Sequence, residues 1–238
     1  MISMPKDMSR SEFYRILTLR TIGNFLVIFS IYMISWVFYK PAVEEVKYAA
    51  NQLIGKKYVL ADEAPTFEQP QNNGPKGLLS EALKINQVEV LVPKDPNFSI
   101  LVPKLGANAN IIANVDSSNP DEYLPSLEAG VAHAAGTKFP GEKGHIYLFA
   151  HSTNTFTNVS RYNAIFYLLY KLEPSDEINL YYHGVRHKYT VIGKTIVDPS
   201  EVEYITKKTD TEFLTLQTCW PPGTISQRML IFAEPSVR

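Results

Sequence analysis

Cysteine is nearly absent from this chain, which has one, Cys219, among 238 residues. A lone cysteine excludes an internal disulfide and any multi-thiolate metal site, and leaves a buried inert thiol, favoured by composition alone, or a reactive one. An excess of charge of either sign is also missing, because 23 basic residues balance 24 acidic ones. We therefore expect no nucleic-acid partner. Glycine-rich phosphate loops and zinc-ligand spacings are lacking too, so we expect no cofactor and no metal.

One long uncharged stretch is present, from Thr21 to Tyr39. As a helix it would be about 28 Å long, close to the thickness of a bilayer's hydrocarbon core. Trp36 and Tyr39 are of the types that favour the membrane interface. A buried soluble helix rarely lacks charge on every face, and the run is long for a signal peptide. We predict a retained, single-pass anchor in contact with membrane lipid.

Basic residues flank this anchor on both sides. Those before it are Lys6, Arg10, Arg15 and Arg20, and those after it are Lys40, Lys47, Lys56 and Lys57. The nearer charges favour a cytoplasmic N-terminus by a small margin, with the following domain outside the cell.

The rest of the chain divides by composition. A weakly helical stretch follows a predicted break at Pro41 and leads to a Pro, Asn, Gln and Gly-rich linker at 62–77. We expect four parts, a cytoplasmic tail at 1–20, the anchor at 21–39, a stalk and linker at 40–85, and a folded domain at 86–238.

The folded domain is predicted to be mainly β. Its β-rich runs are Val88–Val92, Phe98–Val102, Asn110–Val115, Ile146–His151, Ile178–Tyr182, Lys188–Val197, Phe213–Cys219 and Arg228–Ala233. Eight short strands punctuated by turn residues indicate a closed or nearly closed barrel, or a sandwich. Helical pieces are expected near Tyr123–Glu128, capped at Asn119-Pro120, and near Ala164–Leu172.

A strand end carries the lone cysteine. The stretch FLTLQTC (213–219) alternates as a strand, and the Pro-Pro pair after Trp220 cannot donate ladder hydrogen bonds, so the strand should end near Cys219. Cys219 lies on the opposite face from Leu214 and Leu216. If those leucines face the core, the thiol faces away from it, which weakens the inert interpretation.

Two further strand-end residues suit thiol chemistry. The apolar strand in GHIYLFAHSTN (144–154) ends at His151, and an imidazolium there could stabilise a thiolate and protonate a leaving amine. Arg228 follows Cys219 by nine residues, so a hairpin would return it beside the cysteine. Its guanidinium could stabilise an oxyanion or hold a substrate carbonyl, although a solvated strand-end charge is the simpler interpretation in isolation.

The order of these motifs resembles the sortase family of cysteine transpeptidases. TLQTC with a downstream Arg is similar to the family signature of Thr-Leu-x-Thr-Cys. FSILVPKLGANANII (98–112), LEAGVAHAAGTKFPGEKGHIYLFAHS (127–152) and IFYLLYKLEPSDEINLYYHGVRHKYTV (165–191) resemble further family segments. The resemblance spans about residues 86–236 in chain order.

The resemblance implies an eight-stranded sortase β-barrel, with Cys219 as nucleophile, His151 as catalytic histidine and Arg228 as the family's arginine. It implies cleavage of an LPxTG-like C-terminal sorting signal between Thr and Gly. A thioacyl enzyme would then pass the protein to an amine on a peptidoglycan precursor or to a pilin lysine.

Three more residues are candidates for substrate binding. Thr218 adjoins the nucleophile, Trp220 could form a groove wall, and His133 lies in the GVAH stretch of the resemblance. Each has a structural alternative, as a β-branched strand residue, a packing anchor and a structural histidine.

Four carboxylates fall in a region where some sortases bind calcium, Asp116, Asp121, Glu122 and Glu128. A solvated loop and helix face explains them better, so we assign no metal site.

Other functions fit less well. An L,D-transpeptidase-like enzyme also orders His before Cys, but that family has its Arg about two residues after the cysteine. A catalytically silent barrel that binds a surface protein is a further alternative. We see no hydrophobic segment after Arg228 and no Asp-Pro-Trp/Phe-type lid. Both observations disfavour a typical pilin-polymerising class C sortase.

Overall fold

The computed structural model describes residues 9–60, 88–152 and 165–236. Two units, Met1–Val46 and Lys47–Arg238, are each compact by themselves. The predicted linker at 62–77 lies outside the described residues.

A long helix, α1, runs from Arg10 to Leu53. It begins in a capping box, in which Ser9 Oγ accepts from the Glu12 N–H at 3.3 Å and a Glu12 carboxylate oxygen accepts from the Ser9 N–H at 3.1 Å. By length and composition its portion Arg10–Trp36, with mean hydropathy 1.6, is able to cross a membrane. The predicted break at Pro41 is wrong, because the helix continues through it. A proline removes only one backbone hydrogen bond of a helix, and the helical conformation continues on both sides of it.

The strands make up most of the rest of the described chain. They are β1 (Lys57–Leu60), β2 (Val88–Leu91), β3 (Phe98–Val102), β4 (Ala107–Val115), β5 (Val131–Ala134), β6 (His145–Phe149), β7 (Glu177–Tyr182), β8 (Val185–Val197), β9 (Phe213–Trp220) and β10 (Gln227–Pro235). The last eight close into a barrel in the order β10-β8-β7-β3-β4-β5-β6-β9. Neighbouring strands are antiparallel except for the parallel pairs β4–β5 and β6–β9. The predicted eight-stranded, mainly β barrel is confirmed.

Two details of the strand prediction are wrong. β2 lies outside the barrel and pairs in parallel with β1, a strand within the segment predicted as stalk and linker. Its Leu91 packs with Leu60, Leu101 and Tyr181. β5 was not predicted, although it belongs to the barrel. All four of its residues are buried, so the sequence VAHA lacks the polar alternation of a half-exposed strand.

A short helix, α2 (Pro120–Ala129), connects β4 to β5. The Asn119 side chain caps it by accepting a hydrogen bond from the Asp121 N–H at 3.2 Å, and Pro120 occupies the start of the helix. The predicted cap is therefore confirmed.

The second predicted helix is reduced to a turn and a 3₁₀ turn at Leu169–Lys171, while Ala164 lies outside the described residues. Lys194 Nζ donates to the carbonyl oxygens of Tyr170 and Leu172, at 2.8 and 2.9 Å. These bonds satisfy carbonyl oxygens at the C-terminal end of the 3₁₀ turn.

Alternation along β6 and β9 separates two hydrophobic clusters. Leu148 of β6 and Leu214 and Leu216 of β9 are completely buried in the barrel interior. Tyr147 and Phe149 of β6 point to the outer face, where they pack in a second cluster with Leu127 of α2. Helix α2 therefore lies on the outer face of β6, close to the point where that strand ends.

Candidate active site

The predicted cysteine lies near the end of β9, whereas the predicted histidine lies two residues beyond β6, which ends at Phe149 and not at His151 as predicted. The two strands run in parallel, with Phe149 opposite Gln217, and the Ala150 N–H donates to the Gln217 carbonyl at 3.1 Å. His151 and Cys219 each follow this pair by two residues. Cys219 is on the outer face of β9 by the period-two alternation, and the same alternation extended two residues past Phe149 brings His151 to the same barrel edge and the same face.

Arg228 joins them from β10. It is the direct antiparallel partner of Cys219, and residues opposite each other share one face of the sheet. Its Nη1 donates to the carbonyl oxygens of Ile225 and Gln227, at 3.0 and 3.1 Å. These bonds hold the guanidinium at the start of the β9–β10 hairpin, beside the thiol.

Burial governs the protonation of the thiol and the imidazole. It raises the pKa of the Cys219 thiol, and the positive charge of Arg228 partly opposes that rise. It lowers the pKa of His151, and the negative charge of Glu128 partly opposes that fall. Both shifts favour neutral groups, so a thiolate–imidazolium pair is a minor form, and Arg228 and Glu128 are the charges that increase it.

Two uncharged groups border the three residues on the outer face. The Tyr147 hydroxyl donates a short hydrogen bond to the Gln217 side-chain oxygen, two residues before Cys219. Burial raises the pKa of Tyr147, with Arg228 acting in the opposite direction, so the phenol stays protonated at neutral pH.

Thr218 does not line this outer face. Its side chain is buried on the interior side, and its Oγ1 donates to the Ala150 carbonyl oxygen at 3.0 Å. That bond joins the residue before Cys219 to the residue before His151. Trp220 is half-buried at the end of β9, against the core and 5.5 Å from the Tyr170 ring.

His133 is placed away from the three residues. It is completely buried on β5, opposite Leu148. Its Nδ1 accepts from the Asn114 N–H at 3.2 Å, so its Nε2 carries the proton and donates to the Lys138 carbonyl at 3.0 Å. Its ring stacks on Phe139 with centroids 4.5 Å apart. With both nitrogens and the ring engaged inside the fold, His133 occupies a structural position.

Two of the four carboxylates near α2 are engaged with their own loop. Asp116 accepts from the Ser118 N–H and hydroxyl at 2.8 and 2.7 Å, and Glu122 accepts from the Asp116 N–H at 3.0 Å. Over the described ranges, no group of three or more His, Cys, Asp or Glu side chains is arranged to hold a metal ion.

Comparison with known proteins decides the family. Residues 100–236, more than half of the chain, match the family model of the Sortase domain. The chain belongs to the sortase family. All three strand-end residues of this sortase lie within the matched region.

Its relatives are distant. Sortase D of Bacillus subtilis (strain 168) is 26% identical over 136 residues, which are 56% of this chain and 60% of that protein. The match thus spans less than two thirds of that relative's length. Sortase C-1 of Actinomyces oris is 28% identical, covering 61% of this chain and 76% of that one, with a TM-score of 0.49. The sortase D5 transpeptidase of Clostridium perfringens is 22% identical, covering 62% and 82%, with a TM-score of 0.48.

Sequence reasoning missed two neighbours of the site in this sortase. Tyr147 has the same strand parity as His151, which was a usable signal. Glu128 is brought near the site by the packing of α2 on β6. Such packing between distant elements cannot be predicted from a local sequence pattern.

Proposed function

We propose that this sortase is a membrane-anchored cysteine transpeptidase, which exchanges a peptide bond in one protein for an amide bond to an amine acceptor. One observation carries the proposal. In a chain of the sortase family, a histidine, a cysteine and an arginine lie at one barrel edge, with Cys219 directly opposite Arg228 and His151 two residues beyond the end of the neighbouring strand β6.

Acylation begins with proton transfer from the Cys219 thiol to His151. The thiolate attacks the scissile carbonyl carbon, and the carbonyl oxygen becomes an oxyanion that the Arg228 guanidinium stabilises. The intermediate collapses when the C–N bond breaks and the leaving amine takes the proton from His151. The acyl group is then held as a thioester on Cys219.

Transfer runs the same steps in reverse with a different amine. The incoming amine attacks the thioester carbonyl and gives up a proton to His151, and breakage of the C–S bond restores the thiolate. Water could replace the amine, so hydrolysis is the side reaction expected when no acceptor is present.

The proposed substrates are proteins with an LPxTG-like C-terminal sorting signal. The proposed acceptor is an amine of a peptidoglycan precursor or a pilin lysine. Both follow from family membership, and a half-buried thiol near a strand end is compatible with an extended peptide. We infer no cofactor for these steps, since each uses only the groups named above.

We also propose that α1 anchors the protein in the cell membrane, with its N-terminus in the cytoplasm and the barrel outside. The apolar portion Arg10–Trp36 and its basic N-terminal flank support this orientation. Protease added to intact, wall-stripped cells should degrade the barrel. A protected barrel would reverse the orientation.

Transpeptidation tests the function directly. The protein is incubated with fluorescent LPxTG-like peptides and with amines that mimic peptidoglycan stem peptides or a lysine side chain, and ligated products are identified by mass. Wild type should form a ligated product, while Cys219→Ala should form none and keep its unfolding temperature. Full activity in Cys219→Ala would refute the proposal.

The same protein preparation tests the alternative that the barrel is catalytically silent and only binds a surface protein. A thiol-directed reagent should modify Cys219 in the folded protein. Complete resistance to labelling, together with no product from any peptide, would favour a binding role.

A further inference from the structure

We propose that Glu128, near the C-terminal end of α2, is a positioning residue that favours the imidazolium form of His151. The inference rests on the proposed function for its effect on catalysis, but the electrostatic interaction itself can be measured without any substrate.

Hydrophobic packing places the last turn of α2 next to His151. Leu127 is buried in the outer-face cluster with Tyr147 and Phe149, and Phe149 precedes His151 by two residues on the same face. Glu128 follows Leu127 directly and is exposed. The turn that carries Glu128 therefore lies against β6, which ends two residues before the histidine.

The pairing of β5 with β6 gives the same placement independently. Ala132 lies opposite Phe149 in this antiparallel pair. Two residues before Ala132 the chain is Gly130, directly after α2, and two residues after Phe149 it is His151. Gly130 and His151 are therefore each two residues beyond the same β5–β6 pair, on the same side of it.

Gly130 fixes the helix end in this position. A Cβ at Gly130 would lie 2.3 Å from the Asn110 carbonyl oxygen, so only glycine lets the chain pass this close to β4. The Gly130 N–H also closes the last turn by donating to the Ser126 carbonyl at 3.0 Å. The helix therefore ends at a defined place.

Two negative features of α2 then act on the imidazole together. The C-terminal end of a helix carries a partial negative charge, which stabilises a nearby cation within the last turn. The Glu128 carboxylate adds a full charge at the same end, and it opposes the burial that lowers the pKa of His151.

Few other charges compete at this position among the described residues. Cys219 lies on β9, the neighbour of β6, Arg228 lies on β10 beyond it, and Tyr147 lies on β6 itself. Tyr147 is neutral at ordinary pH because burial raises its pKa. Among the charged side chains, Glu128 is the one that raises the pKa of His151 and so favours the imidazolium.

The consequence for the reaction is quantitative. When the thiol pKa lies above the imidazole pKa, the fraction of the thiolate–imidazolium pair between them depends on the difference of the two pKa values. Glu128→Gln should lower the His151 pKa. The fraction of enzyme in the thiolate–imidazolium form should then fall by a factor equal to the antilogarithm of that pKa shift. A charge at a helix end typically has an effect that corresponds to about a two- to five-fold loss of kcat/KM.

The test is an NMR titration of the imidazole in the full-length protein, with the His151 signal assigned by its loss in His151→Gln. Glu128→Gln should move the titration midpoint to lower pH, and Glu128→Asp should restore most of it. Asp121→Asn removes a charge from the opposite end of α2 and should leave the midpoint unchanged. An unmoved midpoint in Glu128→Gln, or an equal shift in Asp121→Asn, would overturn the inference.

The kinetic arm uses the transpeptidation assay. The fold loss of kcat/KM in Glu128→Gln should equal the antilogarithm of its midpoint shift, and a loss without any shift would contradict the positioning role. If the midpoint shifts but the wild-type protein transfers no peptide, the contact stands and the proposed function fails.

Discussion

Replacing Thr218 with valine tests whether one buried hydrogen bond holds the two strand ends of the site together. The Thr218 side chain is 3% exposed, and its hydroxyl donates to the Ala150 carbonyl oxygen at 3.0 Å. Valine has nearly the same shape but cannot donate, so the buried carbonyl loses this partner. A buried polar group left without its hydrogen bond costs about 1–3 kcal/mol.

Two measurements follow from that cost. For a chain of this size 1 kcal/mol corresponds to about 2–4 °C, so Thr218→Val should lower the unfolding temperature by about 2–12 °C. The rate kcat should fall by about tenfold, because Cys219 and His151 each follow a residue of this bond and small misplacements of reacting groups are costly. KM should change little, since Thr218 faces the interior.

Thr218→Ser is the matched control for this prediction. Serine keeps the donor, so it should retain kcat and lose only the stability of one buried methyl group. The reasoning is refuted if Thr218→Val matches wild type in both measurements, or if the serine variant loses as much kcat as the valine variant.

Three further predictions concern packing and charge. Gly130→Ala should destabilise the protein by about 1–3 kcal/mol in urea unfolding, because its new Cβ overlaps a backbone carbonyl of β4, while Gly193→Ala, with open space around it, should cost less. The pH profile of kcat/KM should be a broad bell, falling below the lowered pKa of His151 and above the raised pKa of Cys219; a profile narrower than that of a solvent-exposed His–Cys pair would contradict these directions. Arg228→Gln removes the cation that opposes the burial-induced rise of the Cys219 pKa, so the alkaline limb of the kcat/KM profile should move to higher pH. An unmoved alkaline limb would exclude an electrostatic interaction between Arg228 and the Cys219 thiol.

Local pattern was enough to predict most of the barrel and the strand ends of the site. The alternation in FLTLQTC separates Cys219 from Leu214 and Leu216, and in the structure both leucines are completely buried in the interior. β5 escaped prediction because its residues are buried on both faces and it is only four residues long. A strand of that kind is specified by its neighbours and has no period of its own.

Tertiary contacts decide the remaining assignments. His133 has the residue type of a catalytic group, but its environment of stacked rings and hydrogen bonds could not be deduced from the GVAH stretch. Thr218 was predicted beside a substrate because it adjoins the cysteine, whereas strand parity turns it inward. Glu128, in contrast, was not predicted as a site residue. Packing of α2 on β6 brings this helix-surface carboxylate near the histidine.

The central claim is that Cys219 forms a thioester with the carbonyl of a sorting peptide. Intact-mass spectrometry of the protein after brief mixing with an LPxTG-like peptide, without any amine acceptor, measures this directly. The account predicts a mass increase equal to the acyl fragment, mapped to Cys219, removed by hydroxylamine and absent in Cys219→Ala. Peptide cleavage that proceeds at the wild-type rate in Cys219→Ala, or an adduct on a residue other than Cys219, would contradict it.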